Sequence, residues 1–246
     1  MTQLSVNLNK AALLRNARPL DIPSVVKAAD TCISAGAYGI TVHPRPDQRH
    51  IRYTDVHELK DAIAGLDVEF NIEGNPFTGK YMELMPEVQP DQATLVPDEP
   101  GANTSDHGWE LDTKNIERLK PIIEQLKNLD IRVSLFVDPV IETIEAAKKI
   151  GADRIELYTE PYAAAFAKQA DLEKVTAAYA AAAKASDEMG LGVNAGHDLS
   201  LENLEFFCKN VKPVNEVSIG HALFAEAIFM GLQNTVKAYN EILAKS

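Results

Sequence analysis

Three histidines in this chain occupy the same local setting. His43 ends the run GITVH, His197 follows the run GVNAG, and His221 ends the run EVSIGH. Each run is typical of a short strand with a helical segment after it, which places each imidazole at the carboxyl end of a strand. In repeating β/α chains that end of the sheet carries the active site. Because histidine titrates near neutral pH, these side chains could move protons in one shared pocket.

A carboxylate accompanies the histidines. Glu73 ends the apolar run VEFNIE, where an ionised side chain is unfavourable unless it is paired or functional. It lies one strand from His43, so the two could act as an acid–base pair with shifted pKa values. Histidine and glutamate also bind zinc or manganese, and this alternative stays open. The chain has no HExxH motif or other close ligand pair, so the sequence favours acid–base chemistry without a metal.

Two further segments could bind phosphate. Glycine lies beside His197 and before His221, so backbone N–H groups there can approach a ligand closely, and the helix after Gly220 presents its positive end. A basic cluster has the right size for one phosphate group and consists of Arg45, Arg49, His50 and Arg52. Other polar residues fall at the ends of predicted strands, and these are Asn7, Asn9, Asp138, Glu156, Thr159 and Ser218.

The elements that must position these residues alternate regularly. Eight runs are typical of strands, and most of the segments between them have apolar residues at helical spacing. The runs span 4–9, 39–43, 68–73, 93–97, 132–138, 154–159, 192–196 and 216–220. Eight such units predict an α/β fold, a single (β/α)8 TIM barrel, for which about 250 residues are typical. Because no segment of the sequence is typical of a linker, we expect one domain over residues 1–246.

Two connections are longer than the others and could act as lids or substrate contacts, namely 97–112 and 160–171. Trp109 in the first is expected to pin that loop to the barrel. His57, within a helical pattern, and His107, in the turn-rich loop, are expected at the surface. Cys32 and Cys208 lack motif spacing and are expected to be buried apolar residues, without a disulfide.

The bulk properties exclude some classes of protein. The formal net charge of −12 argues against a nucleic-acid partner, because phosphate backbones require a basic face. No apolar run reaches the roughly 18 residues of a membrane span, and the start MTQLSVNLNK lacks the apolar region of a signal peptide. We therefore expect a soluble, cytoplasmic protein without membrane contact.

These segments together resemble the pyridoxine 5′-phosphate synthase (PdxJ) family, and the similarity extends over the whole chain in order. The most specific elements are H-x-R-x-D-x-R-H-I, from His43 to Ile51, and VNAGH. Supporting runs are VNLNKAALLRNAR, FNIEGN, TLVPD, RVSLFVD, RIELYTEPYA and VSIGHAL.

The resemblance implies condensation of 3-amino-2-oxopropyl phosphate with 1-deoxy-D-xylulose 5-phosphate, without a cofactor or metal. His43, Glu73 and His197 would be the acid–base residues. It also implies a homo-octamer with extra helices beyond the plain barrel. The residues expected to contact the two phosphorylated substrates are Asn7, Asn9, Lys10, Arg18, Arg45, His50, Thr104, Glu156, Asp198, Gly220 and His221.

The chain departs from the family pattern at two places. Many members carry Asp-His where this chain has Asn9-Lys10, and glycine is common at the position of Asp198. We interpret both as variation within a branch of the family. Two alternatives are kept: another phosphosugar-binding barrel enzyme, such as an epimerase or isomerase, and a catalytically inactive metabolite-binding homologue.

Overall fold

Eight parallel strands close into one barrel in the order of the sequence. The computed structural model describes residues 1–99, 101–102 and 104–245. Closure occurs at Val6, which pairs with Ile40 on one side and with Ile219 on the other. The predicted (β/α)8 architecture is therefore confirmed. The strands are β1 Gln3–Asn7, β2 Gly39–Val42, β3 Glu69–Gly74, β4 Gln92–Leu95, β5 Arg132–Val137, β6 Arg154–Leu157, β7 Gly192–Gly196 and β8 Glu216–Ile219.

The described residues also form eleven helices. Eight of them complete the strand–helix units, while α1, α7 and α10 are additional. The helices are α1 Asn9–Asn16, α2 Val25–Ser34, α3 Tyr53–Ile63, α4 Tyr81–Val88, α5 Thr113–Lys127, α6 Ile141–Lys149, α7 Glu160–Lys168, α8 Leu172–Glu188, α9 Leu204–Asn210, α10 His221–Met230 and α11 Leu232–Leu243.

Seven of the eight predicted strand ranges differ from the observed ones by one or two residues at an end, and two segments differ in kind. The first strand ends at Asn7, and Asn9 begins α1 instead of continuing the strand. The reason is local, because Asn7 Oδ1 accepts the backbone N–H of Asn9 at 3.0 Å and turns the chain. The segment 160–171, expected as a long connection, contains α7, whose second residue is Pro161, a residue favoured in the first turn of a helix.

Strand side chains alternate between two environments. Apolar residues such as Ile40, Val42 and Phe70 are completely buried and belong to the main apolar core. Polar residues face the inside of the barrel, where Asn194 on β7 donates to Gln92 on β4 at 3.4 Å although these strands are not neighbours. Barrels of this class usually fill the interior with branched apolar side chains. This interior is polar, so polar side chains extend below the strand ends.

Ion pairs between two partly exposed arginines and two buried carboxylates lie at the opposite end of the barrel. Arg132 pairs with Glu69, and Arg154 Nη1 lies 2.9 Å from a carboxylate oxygen of Glu216. Burial, together with the nearby Glu69 carboxylate, raises the pKa of Glu216 to about 8. These groups sit at the amino ends of the strands and therefore lie away from the histidines at the carboxyl ends.

The two cysteines lie in the interior. Cys32 and Cys208 are both buried and unpaired, as expected. Among the described residues, no helix combines the length and apolar character needed to cross a bilayer.

Candidate active site

A cavity of about 510 Å³ opens at the carboxyl ends of the strands. It brings together the three predicted acid–base residues and every predicted substrate-binding residue except Arg18. Arg18 is exposed in the turn after α1 and does not line this cavity. The predicted residues in the wall are Asn7, Asn9, Lys10, His43, Arg45, His50, Glu73, Thr104, Glu156, His197, Asp198, Gly220 and His221.

His43 and Glu73 face each other at one side of the cavity. His43 Nδ1 lies 3.9 Å from Glu73 Oε2, and the same oxygen accepts a hydrogen bond from Asn7 Nδ2 at 3.2 Å. The backbone N–H of His43 donates to Asn9 Oδ1 at 2.9 Å. Three neighbouring strand ends, those of β1, β2 and β3, therefore fix this pair.

Burial shifts the two titrations towards their neutral forms. It lowers the pKa of His43 well below its ordinary value, and the positive charge of Arg45 acts in the same direction. Burial also raises the pKa of Glu73 to about 7, against the opposing influence of His197. At neutral pH His43 is thus an uncharged base, and Glu73 exchanges a proton readily.

His50 is held as a neutral donor. Its Nδ1 accepts the backbone N–H of Ile51 at 2.9 Å, and burial followed by the charge of Arg45 lowers its pKa to about 4. The remaining proton must then lie on Nε2. Arg15 and Asn16 from α1 both donate to the carbonyl oxygen of His50, at 3.1 and 2.7 Å, and so fix this segment.

Arg45 connects the cavity wall to the long loop after β4. Its guanidinium pairs with the buried carboxylate of Asp98 and donates to the carbonyl oxygen of Ala102 at 3.0 Å. Ser105 Oγ donates to Asp98 as well, at 2.8 Å. Of the predicted basic cluster, Arg45 and His50 line the cavity, whereas Arg52 pairs with Asp21 outside it.

Glu156 projects from β6 towards the cavity floor. It is buried, and within the described part of the chain its Oε2 has no hydrogen-bond partner. Burial, then the carboxylates of Glu73 and Glu216, raise the pKa of Glu156 well above its ordinary value. The shift favours the protonated form of Glu156, which can donate a hydrogen bond to a ligand.

His197 lies at the far side of the cavity, beyond the end of β7. Its Nε2 is 2.7 Å from Thr104 Oγ1 and its Nδ1 is 2.7 Å from Asp198 Oδ2. The preceding Gly196 packs against β8 so closely that a Cβ atom there would lie 2.3 Å from the carbonyl oxygen of Ser218. Glycine at 196 is thus required for the strand to present His197.

The first turn of α10 borders the cavity. This helix begins at His221, immediately after Gly220, and both residues lie in the cavity wall. The first N–H groups of a helix have no partner within it and carry partial positive charge. This turn is therefore suited to an anion.

The described residues contain no group of three or more His, Cys, Asp or Glu side chains arranged to hold a metal ion.

This chain matches one family model over almost its whole length. The model described as pyridoxal phosphate biosynthesis protein PdxJ matches residues 4–245. The chain belongs to the PdxJ family.

Two relatives in this family are similar over almost their whole length. Pyridoxine 5′-phosphate synthase of Christiangramia forsetii is 52% identical over 243 residues, which is 99% of this chain and 100% of the relative. The enzyme of the same name from Bacteroides fragilis is 52% identical over 244 residues, again 99% and 100% of the two chains.

A solved structure outside the PdxJ family shares the fold. Phosphoribosyl anthranilate isomerase of Thermotoga maritima superposes with a TM-score of 0.61, covering 100% of both chains, at 14% sequence identity. At this identity the likeness concerns the barrel alone.

Sequence reasoning missed several residues of this PdxJ-family site. Asp98 and Ser105 lie in a turn-rich loop whose path no periodicity predicts. An apolar cluster at the strand ends was also missed, and it consists of Val96, Phe136 and Tyr158. Each of these residues lies two positions after an inward-facing strand residue, and side chains two apart on a strand point to the same side. The alternation of side chains along these strands could therefore have predicted the cluster.

Three other residues lie where the sequence predicts them. Trp109 holds its loop against the barrel, because its Nε1 donates to the carbonyl oxygen of Leu95 at 3.0 Å. His57 and His107 are exposed.

Proposed function

We propose that this protein condenses 3-amino-2-oxopropyl phosphate with 1-deoxy-D-xylulose 5-phosphate, giving pyridoxine 5′-phosphate, inorganic phosphate and water. The observation that carries the proposal is the single cavity in which His43, Glu73 and His197 meet, in a chain of the PdxJ family. We also propose that residues 1–246 act as one catalytic domain, since no strand or helix stands apart from the barrel in the described residues.

The three acid–base residues suit the proton transfers of this reaction. Carbinolamine dehydration, loss of phosphate and ring closure each need a group that gains and loses protons near neutral pH. Glu73 meets this requirement through its raised pKa of about 7. His43 is neutral and able to accept a proton. Burial lowers the pKa of His197, but the hydrogen bond and charge of Asp198 outweigh it and raise that pKa, so His197 can hold a proton. The protonated form of Glu156 can donate a hydrogen bond to an oxygen of the substrate.

No enzyme lysine or cofactor is needed in this scheme. The amine of 3-amino-2-oxopropyl phosphate itself forms the imine, and the protein supplies orientation and protons. Lys10 lies in the cavity wall at the start of α1. We assign it, with Asn7 and Asn9, to binding of the sugar phosphate.

Two anion sites support the choice of two phosphorylated substrates. One is formed by Arg45 and His50, and the other by the first turn of α10 at Gly220 and His221. They follow β2 and β8, the two strands that flank β1, which carries Asn7. We place one substrate phosphate at each.

We further propose that the protein forms a homo-oligomer through α10 and α1. Helix α10 is apolar almost all round, yet Ile228 and Phe229 are 78% and 90% exposed. Leu13 and Leu14 on α1, which packs against α10, are exposed as well. A helix that is apolar on all sides is normally covered, and an extended apolar patch on one face suits a second copy of the chain.

Arg18 follows α1 in the same exposed region, so a substrate contact by Arg18 would require the cavity of a second copy. Light scattering of the wild type and of Phe229→Asp tests the oligomer. We expect a single assembly larger than a monomer for the wild type and dissociation of the variant. A monomeric wild type at micromolar concentration would contradict the proposal.

The activity is tested by incubating purified protein with both substrates and detecting pyridoxine 5′-phosphate by chromatography and fluorescence. We expect product, equally with and without a chelator. Activity abolished by the chelator would favour a metal-dependent barrel enzyme, and tight binding of one substrate without turnover would favour an inactive metabolite-binding homologue. Either result would contradict the proposed function.

A further inference from the structure

Both ring nitrogens of His197 are engaged by side chains. Nδ1 lies 2.7 Å from Asp198 Oδ2, and Nε2 lies 2.7 Å from Thr104 Oγ1. His197 adopts a φ of +50°, in the left-handed region that residues other than glycine rarely occupy. This backbone conformation turns the chain sharply, and the adjacent carboxylate lies within hydrogen-bonding distance of the imidazole.

The backbone of Asp198 is used within the protein. Its N–H donates to the carbonyl oxygen of Gly196 at 2.7 Å and to Thr159 Oγ1 at 3.3 Å. Its carbonyl oxygen accepts from Asn203 Nδ2 at 3.1 Å. The main chain at 198 is therefore fixed from both sides, and its N–H already has acceptors in this arrangement. The part of Asp198 that acts on the cavity is the carboxylate on His197.

We propose that Asp198 is a positioning residue for His197, and that its contribution to the site is made through that imidazole and not through direct contact with substrate. The inference rests on the proposed catalytic role of His197. The carboxylate accepts a hydrogen bond from Nδ1–H and so fixes one tautomer. Nε2 is then the atom that takes a proton from the substrate or returns one to it.

The chemistry of such a pair is general. A carboxylate on one nitrogen of an imidazole orients the ring, selects the tautomer and stabilises the imidazolium form, without itself becoming protonated. Thr104 Oγ1 occupies the position at Nε2 that a substrate oxygen would take. Exchange of this hydroxyl for a substrate group leaves the contact with Asp198 unchanged.

Several charged or titratable groups act on His197 besides Asp198. Burial by itself lowers the pKa of His197, but the hydrogen bond and charge of Asp198, followed by the more distant carboxylates, outweigh it and raise the pKa above its ordinary value. The groups on the surrounding elements are Glu73 on β3, Asp98 in the loop after β4, His43 after β2 and Tyr158 after β6. Of the charged or titratable groups named in this paragraph, Asp198 alone makes a direct hydrogen bond to the imidazole ring.

The test compares Asp198→Asn and Asp198→Gly with Glu202→Gln, a control on the exposed surface of the same loop. The pKa of His197 is followed by NMR of labelled imidazole, assigned with His197→Gln. We expect the pKa to fall by about one unit or more in both Asp198 variants. We also expect kcat to fall at least about 10-fold with little change in KM, because acid–base catalysis is worth more than that. The limb of the kcat–pH profile that follows His197 should shift in the same direction as the pKa.

An unchanged His197 pKa in both variants, or a change confined to KM, would overturn the inference, since either result would make Asp198 a structural residue or a substrate contact. Asp198→Gly serves if the asparagine variant fails to fold. Normal turnover by His197→Gln would instead contradict the proposed catalytic role of His197, and the NMR titration of the Asp198 variants would still report on the pair itself.

Discussion

His43 Nδ1 lies 3.9 Å from Glu73 Oε2, with both side chains almost completely buried. Burial favours the neutral form of each group, so neither is a permanently charged partner for the other. A neutral base beside a carboxyl that titrates near pH 7 can pass protons to and from a ligand with little change in the charge of the cavity. This relationship distinguishes the pair from a structural salt bridge such as Arg15–Asp55, in which two opposite charges lie 2.5 Å apart.

Substitution Glu73→Gln should lower turnover while substrate affinity is largely retained. The amide has nearly the same volume as the carboxyl and can still bond to Asn7, but it cannot transfer a proton. We expect kcat to fall by about 10²- to 10⁴-fold, measured by steady-state kinetics. Glu110→Gln, at an exposed position in the loop before α5, is the matched control. Turnover within twofold of the wild type would remove Glu73 from the acid–base set.

The same substitution should stabilise the fold at alkaline pH. Glu73 keeps its proton up to about pH 7 in the folded protein but loses it near its ordinary pKa of 4.5 when unfolded. Stability therefore falls as pH rises from about 4.5 to 7, and above that range the full cost of the buried charge is present. Glu73→Gln removes this cost, on the order of 1–3 kcal/mol.

Thermal unfolding at two pH values checks the sign. Relative to the wild type, Glu73→Gln should unfold at a higher temperature at pH 8 and at nearly the same temperature at pH 4.5. A lower midpoint at pH 8 would mean that ionised Glu73 is well compensated in the folded state, which would contradict its raised pKa.

Substitution Arg45→Ala should act mainly on substrate affinity. It removes a charge-assisted contact to phosphate, worth roughly 1.5–3 kcal/mol, so the apparent KM for one substrate should rise about 10- to 100-fold. Lys114→Ala, at an exposed position on α5, provides the comparison. If KM is unchanged, Arg45 serves only to hold the loop through Asp98 and Ala102.

Glu156→Gln should behave unlike Glu73→Gln. Burial raises the pKa of Glu156 well above its ordinary value and so favours the neutral form, and glutamine reproduces a neutral side chain with a hydrogen-bond donor. We expect kcat within about 10-fold of the wild type and a greater loss for Glu156→Ala, which also leaves a cavity. Equal, large losses for both Glu156 variants would indicate that the ionised carboxylate is needed.

Much of this fold could be predicted from the sequence, since eight alternating units and their apolar spacing specify a barrel. Positions at strand ends could be predicted for the same reason, because the fold gathers these ends at one mouth. The polar interior of the barrel was harder to predict. Alternation shows that Asn71 and Asn194 point to the side of the sheet opposite their apolar neighbours, but it does not show which side faces the inside of the barrel.

Contacts made by irregular segments could not be predicted. Asp98 meets Arg45 only because the loop after β4 folds back over the cavity, and Asp198 meets His197 only because of a left-handed backbone at 197. Neither feature has a periodic signature. Arg18 illustrates the same limit, since a motif gives its position in the chain but not which cavity its side chain can reach.

The most direct test of the shared cavity is a crystal structure with pyridoxine 5′-phosphate bound. The ring should lie between His43, Glu73 and His197, with polar atoms of the product within hydrogen-bonding distance of at least two of these side chains. Its phosphate should occupy one of the two anion sites, at Arg45 and His50 or at the first turn of α10. A product bound outside this cavity, or one that touches none of the three acid–base residues, would contradict the account.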